Sequence, residues 1–542
     1  MARREMGTLG SLAAFLCVAA LPATAQSFRV QCPTSTITHP VAANNNSEPA
    51  YTGPTTFTLN AQGFFAPSAN VNGAIKCQQI SGGDGYATMA DGTQTFMFSF
   101  GPLSGLAKIA AGQPGTDVPQ EFNMLAPAAL MPGDPATTDG ASDNGSTYSA
   151  GALGAFSYNG AVGLAPDLDN GGAIDGHVDP RPIMDVGVMN GNIPAPLMAF
   201  DEDDEFFLTL TNVGMIMRPD LFEQHTVHFH GYPNASSFYD GVPDASVAIN
   251  IGGSFTYYYL APDAGTYFFH CHITPPEHLQ MGMVGQLYVR PRQNRVPGTT
   301  ALYTSLQTQQ TDLRTACRRP GDGATPAITS IPDILCSNPV PAVQTSAMGG
   351  GMYAYNDGDG TTAYDVEYPI QIHGFDPNFH FVGMTFNPEA FVDMKDKYFL
   401  LNGRSYPDTV TPGPLATQSS DGRSHYAQPL PSIVNIKAGQ KALLRISDLD
   451  VTEYQTLASL GIPMHVIGFN AKLLRDQAGN NMDYYTNSIT LGGGESLDVI
   501  LDASDTTKYS SGQVFYLYTP NLDHLSNDAE NFGGLMTEVH IN

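Results

Sequence analysis

Basic side chains are scarce in this sequence: 542 residues carry 23 lysines and arginines against 51 aspartates and glutamates, a formal net charge of −28. With no basic run, phosphate contacts cannot be made in number, which argues against nucleic-acid binding. An acidic surface instead favours solubility and draws cationic partners, metal ions included. Long apolar runs are scarce as well. One spans Leu9 to Leu21, behind Arg3 and Arg4 and ahead of Ala23-Thr24-Ala25, the order of a secretory signal cleaved before Gln26. It is short for a bilayer span and no later segment reaches that length. The expected mature protein therefore has no membrane span and is periplasmic or secreted. The arginine pair admits twin-arginine export beside the general route, although Glu5 and Met6 continue that motif poorly. Long helical patterns are also few. Gly (56), Pro (40) and strand-like Thr, Tyr and Phe segments point to an all-β chain of sandwiches.

Cysteine numbers only six. Cys17 falls in the signal, and Cys32 with Cys77 and Cys317 with Cys336 make two sequence-local pairs, expected as disulfides in an exported protein. Cys271 is left over, inside a stretch from Gln224 to Met283 that holds six of the fourteen histidines. An isolated histidine on a strand is usually a hydrogen-bonded core or surface residue. Six around one cysteine, with methionines close by, form a transition-metal pattern. Zinc would favour paired cysteines at short spacing. A thiolate, two imidazoles and a weak thioether instead suit electron-transfer copper, because that set serves both oxidation states. Cys271, His278, a methionine at 281 or 283, and His225 supply it.

Strand parity divides the histidines. If Tyr267 to Ile273 is a strand, His270 and His272 face away from Cys271, while His228 and His230 share a face opposite His225. The expectation is two sites bridged by the Cys271 backbone: His225, Cys271, His278 with a methionine, and a quartet of His228, His230, His270 and His272.

Asn190-Gly191, Asp201-Glu202-Asp203-Asp204, His228-Phe229-His230-Gly231, Asp240-Gly241-Val242-Pro243, Gly265-Thr266-Tyr267 and His270-Cys271-His272 resemble, in order, the landmarks of a multicopper oxidase cupredoxin domain. The resemblance spans about 185 to 292, with a weaker echo from about 390 to 542. It implies tandem Greek-key cupredoxin-like β-sandwiches. It also implies type 1 copper at the Cys-His-His-Met set and type 2 and type 3 copper at the paired His-x-His motifs. Met283 is preferred over Met281 because its offset of five from His278 matches the family loop.

The expected domains are a signal at 1–25, a long irregular Gly/Ala/Ser-rich β region at 26–180, the copper domain at 181–292, a connector at 293–385 and a second, degenerate cupredoxin domain at 386–542. Asp167 to Gly172 is a solvated turn rather than a calcium loop. Met348 to Met352 reads as a glycine-rich loop, and His373 and His380 fit no motif. In the last region Gly461 to Phe469 aligns with His225 to Tyr232. His465 then replaces His228, while Ile462 and Ile467 replace His225 and His230. A complete trinuclear cluster in the family takes four histidines from each of two facing domains, so the second shell is short. Other histidines substitute, the cluster is reduced, or a neighbouring subunit of a homo-oligomer contributes. The expected function is a copper oxidoreductase taking single electrons from a small-molecule, metal-ion or protein reductant and reducing dioxygen. The alternatives are a copper nitrite reductase, whose Pro-His-Leu-Ile-Gly element resembles Pro463 to Gly468, and a non-catalytic electron carrier or copper-binding protein. No acid–base residue is assigned; Asp240 and Glu277 are as easily a turn former and a surface charge.

Overall fold

The computed structural model describes residues 33, 35–44, 48–61, 63, 65–103, 191–215, 217–218, 220–233, 236–251, 253–261, 263–311, 337–384, 390–418 and 424–542. The signal segment, Cys32, Cys317, Cys336 and the Asp167 to Gly172 turn lie outside them. Among the described residues no helix is long and apolar enough to cross a membrane.

The first half holds a hairpin, β1 (Thr56–Leu59) and β2 (Phe65–Ala69), then β3 (Ile75–Thr88), β4 (Gln94–Pro102), β5 (Met198–Asp201), β6 (Glu205–Gly214), β7 (His228–His230), β8 (Ser254–Leu260), β9 (Gly265–His270), the short helix α1 (Pro275–Gln280) and β10 (Val284–Arg290). Two four-stranded sheets result, in the orders β4-β3-β6-β8 and β5-β10-β9-β7. Phe98, Phe206, Tyr257, Phe229, Phe269 and Leu287 fill the space between them and are fully or almost fully buried. Burying each such side chain stabilises the sandwich by about 1.5–3 kcal/mol.

Helix α2 (Leu302–Gln309) and the two-residue strands β11 (Met352–Tyr353) and β12 (Ala363–Tyr364) connect the halves. The Met348 to Met352 loop is fixed here, with Gly349 and Gly350 donating to the carbonyls of Thr300 and Val296. The second sandwich follows: β13 (Val366–Phe375), α3 (Pro377–Met384), β14 (Tyr398–Leu401), β15 (Leu415–Gln418), β16 (Ser424–Ala427), β17 (Val434–Ile436), β18 (Lys441–Asp448), β19 (Gln455–Leu460), β20 (Met464–Phe469), β21 (Lys472–Leu473), β22 (Tyr484–Thr486), β23 (Ser488–Leu491), β24 (Ser496–Asp502), β25 (Val514–Tyr518) and β26 (Met536–Ile541). Its sheets run β14-β13-β18-β24-β20-β21, with β22 on β20, and β17-β26-β25-β19-β23. Ile370, Leu444, Ile446, Leu457 and Leu517 are among the residues of its core.

The all-β tandem sandwich is the expected fold, but three boundaries shift. The first sandwich is not confined to 181–292: Ile75 to Gly82 pairs in parallel with Glu205 to Asn212, so β3 and β4 are integral strands of its sheet. The second sandwich starts at Val366 rather than 386, because Val366 to Ile372 pairs in parallel with Ala442 to Asp448. The ladder of β9 ends at His270 instead of running to Ile273.

The halves touch along a polar seam. Thr266 donates to Asp498 Oδ1 (2.6 Å), and Gln286 Nε2 donates to the Arg445 carbonyl and to Ser447 Oγ, each at 2.9 Å. Arg445, itself buried, pairs with Glu367 at 3.0 Å. A buried guanidinium without its carboxylate costs several kcal/mol. Glu367→Gln should therefore lower the thermal midpoint clearly more than a surface Glu→Gln exchange, as calorimetry of the two variants would show.

Candidate metal centre

β7 and β9 pair antiparallel with His228 opposite His270 and His230 opposite Phe268. Because side chains alternate along a strand, this register places His228, His230 and His270 on one face. Past the end of the ladder, the His272 N–H donates to Thr226 Oγ1 (3.0 Å), which keeps the chain extended for two more residues. Ring centroids confirm the grouping: His228 lies 5.9, 5.2 and 5.1 Å from His230, His270 and His272. One ring nitrogen each from His228, His230 and His270 falls within 4.8 Å of the others.

The tautomers suit ligation. His228 Nδ1 donates to the Asp240 carbonyl (2.7 Å) and His270 Nδ1 donates to the Cys271 carbonyl (2.8 Å), which leaves both Nε2 atoms as lone-pair donors. Burial pushes His270 down to about 3 and also lowers His228 and His230, so these rings are neutral. The Asp-Gly-Val-Pro loop gains a role here. Gly241 has φ +82°, and a Cβ there would meet the Val227 carbonyl at 2.0 Å. Only glycine lets the loop lie close enough to hold His228.

On the other side of the Cys271 backbone, His225, Cys271 and His278 bring their ligand atoms within 4.8 Å of one another, and all three are fully buried. His278 Nδ1 is 3.2 Å from Cys271 Sγ, which also accepts the Thr226 N–H at 3.4 Å. Burial alone would raise the thiol, but the neighbouring His278, with His225, holds it well below its usual range. Against its own burial, the Cys271 charge pushes His278 up to about 9 in the metal-free site. Cys271 N–H donates to the Met283 carbonyl and Met283 N–H to the His278 carbonyl, folding the loop back on the thiolate. Met283 is fully buried in the first core. Met281 is buried too, with its sulfur against Gly383 at 3.8 Å from where a Cβ would lie. The geometry thus gathers His225, Cys271 and His278 on one side and His228, His230, His270 and His272 on the other.

Two walls of this site were missed, because they come from the N-terminal strands. Gly82 of β3 faces His225, and a Cβ there would lie 2.6 Å from its ring. Phe98 of β4 packs edge-on against His278, with centroids 5.1 Å apart. Gly82→Ala should displace His225 at a cost of roughly 1–3 kcal/mol. Thermal unfolding of the metal-free variant checks the stability, and its copper affinity should fall alongside.

The second half does not repeat the quartet, and the sequence alignment of its histidine is corrected by strand register. β19 pairs with β25 in the sheet whose strand order parallels that of β7 and β9, with Ala458 opposite Tyr518 and Leu460 opposite Tyr516, so neither strand offers a histidine there. His465 lies on β20, beyond the Gly461-Ile462-Pro463 turn and in the other sheet. There it pairs with Asp483 (2.9 Å) and stacks on Tyr485. His524 is tied to Gln455 and Glu453. What meets the quartet from the second half is Gly494, where a Cβ would lie 3.5 Å from His230 Nε2. The Asp201-Glu202-Asp203-Asp204 motif is structural. Lys76 Nζ sits among Glu48, Asp201 and Asp204 at 2.8–3.1 Å, and Arg292 pairs with Glu202 and Asp203.

The residues pass a test of fit for a soft transition metal. Both nitrogens of His225 and Nε2 of His278 are buried without a hydrogen-bond partner among the described residues, an arrangement that costs about 1–3 kcal/mol per group unless something else binds them. A thiolate with two such imidazoles is a copper donor set.

Residues 175–294 match the family model described as multicopper oxidase. The chain is 31% identical over 138 residues to multicopper oxidase MCE of Talaromyces pinophilus, covering 25% of this chain and 21% of that protein. It is 34% identical over 109 residues to laccase abr2 of Aspergillus fumigatus, covering 20% and 17%. The chain thus spans about a fifth of the length of these relatives. Among solved structures it is similar to the blue copper oxidase from Nitrosomonas europaea, at 15% identity, TM-score 0.45 and 86% coverage of each chain. The matched segment contains both histidine groups.

Proposed function

We propose that this chain is an exported copper oxidoreductase of multicopper oxidase type, with an electron-entry site at His225, Cys271, His278 and Met283 and an oxygen-reducing site on His228, His230, His270 and His272. The observation that carries it is the convergence of two ligand groups on opposite sides of one cysteine backbone. Copper held by His225, Cys271 and His278 would supply one-electron acceptance, and copper held by the histidine quartet would supply dioxygen reduction. The chain's own part is to hold donors. Cys271 offers a thiolate by virtue of His278 and His225, and its carbonyl fixes the His270 tautomer, so one residue touches both groups. Cys271 is fully buried, and Phe98 covers His225 and His278 beside it. His278 Nε2 lies 3.7 Å from Glu223 Oε2, whose side chain is 29% exposed, so this edge is the one nearest a reductant.

With His465 held by Asp483 and His524 by Gln455 and Glu453, the partner shell of the quartet is drawn from other residues, and a neighbouring subunit is one source. This same observation favours a second reading, a nitrite reductase with a smaller copper complement. The test is oxygen uptake by the copper-loaded protein with phenolic and metal-ion one-electron donors. Uptake is expected, and nitrite reduction without it would select the second reading.

The export reading carries the disulfides Cys32–Cys77 and Cys317–Cys336. Among the described residues Cys271 is a free, buried thiol, which fits a pairing of the other four. Labelling of denatured, unreduced, metal-free protein should modify Cys271 alone; reaction at the other four would refute the pairing.

A further inference from the structure

Gln280, the last residue of α1, lies between the expected ligands His278 and Met283 and is gripped entirely by the second half of the chain. Its Nε2 donates to Asp396 Oδ1 (3.0 Å), its Oε1 accepts the Asp376 N–H (2.9 Å), and its carbonyl faces His380 Nε2 at 2.9 Å. His380 is stacked on Phe375 and reaches the Phe96 carbonyl of β4 through Nδ1 (2.7 Å), so it clamps α1 between the two halves.

Behind Gln280, two buried carboxyl groups crowd a glycine. A Cβ at Gly374 would lie 2.1 Å from Asp396 Oδ2 and 2.5 Å from Asp450 Oδ2, and Thr452 Oγ1 bonds both side chains. The donors are unequally shared. Asp450 accepts N–H groups from Thr452, Glu453 and Gln455. Among the described residues Asp396 accepts only from Gln280 and Thr452, which suits its protonated form. Consistently, burial and the Asp450 charge push the Asp396 carboxyl well above the usual range. A chain of contacts leads outward: Gln455 Oε1 to His524 Nδ1 (2.9 Å), and His524 Nε2 to Glu453 Oε2 (2.7 Å), whose side chain is 46% exposed. The other titratable groups near the pair are Asp448 and His373. Lys397, beside Asp396 in sequence, is paired with Asp528, and Lys395 lends its backbone N–H to Asp376.

We propose that Gln280, Asp396 and Asp450 are positioning residues for the ligand loop from Cys271 to Met283: a proton shared by the two carboxyls holds Gln280 and α1 against the second half, and its loss loosens the loop. This rests on the reading of His278 and Met283 as copper ligands, yet its first test needs no copper. The sign follows from Asp396, whose folded state favours the proton. The hold is complete at low pH and is lost as pH rises through the elevated value.

Hydrogen exchange of the metal-free protein should show protection of the amides at 275–283 falling by about tenfold between mildly acidic and alkaline pH. Asp396→Asn, an amide that always donates to Asp450, should keep the acidic-pH protection throughout. Gln280→Ala should lose it at every pH. With copper bound, the wavelength of the thiolate absorption and the reduction potential of that copper should drift with pH in the native protein and stay fixed in Asp396→Asn. Protection that is independent of pH, or equally dependent in Asp396→Asn, overturns the proposal. PH-dependent protection in a protein that shows no thiolate–copper absorption overturns the copper reading instead and leaves the coupling to α1 standing.

Discussion

Replacing Cys271 by serine should abolish the intense visible absorption of the copper-loaded protein and stop electron transfer from any donor, while the histidine-rich site keeps its metal. The side chain is the only thiolate offered to the first group, and a hydroxyl neither ionises beside His278 nor matches the softness of sulfur. The change is nearly isosteric, so the fully buried site stays filled. What the quartet takes from residue 271 is its carbonyl, which accepts from His270 Nδ1 and is unaltered in serine. Copper analysis together with absorption and electron paramagnetic resonance separates the outcomes. Loss of all copper together would contradict the division into two sites.

The reciprocal change gives the second large effect. His228→Ala with His270→Ala should remove the metal of the quartet and all oxygen uptake, lowering the rate by at least about a hundredfold, while the thiolate absorption survives. The two sites share a backbone but no side chain, and His225, Cys271 and His278 pack against Phe98 and Gly82 rather than against the quartet. Absorption that vanishes with oxygen uptake would mean that the two groups fold as one unit.

Both variants could be designed from the sequence, because strand alternation is a local rule and His228, His230 and His270 obey it within β7 and β9. The walls of the site could not. β3 reads Ile-Lys-Cys-Gln-Gln-Ile-Ser-Gly-Gly-Asp-Gly-Tyr-Ala-Thr and is buried on both faces over most of its length. Polar residues such as Gln78, Gln79 and Asp84 sit inside with its apolar ones, so no alternation marks it as a strand. Its partner β6 lies more than a hundred residues away, a pairing that composition does not carry. The error over His465 has a related cause. Gly-Ile-Pro-Met-His-Val-Ile-Gly resembles the first histidine segment residue by residue, yet the turn at Gly461, with φ +94°, sends β20 into the other sheet. The strand that pairs with β25 is β19, which carries no histidine. His373 and His380, which fitted no sequence motif, lie among the groups that hold α1, again through contacts with residues far away in the chain.

Copper per chain, counted on fully loaded protein whose oxygen uptake is recorded in parallel, tests the central claim most directly. The two-site oxidase account predicts more than one copper per chain, rising to about four where a neighbouring subunit completes the shell of the quartet, with uptake proportional to loading. One copper and no uptake would mean an electron carrier, and would contradict it.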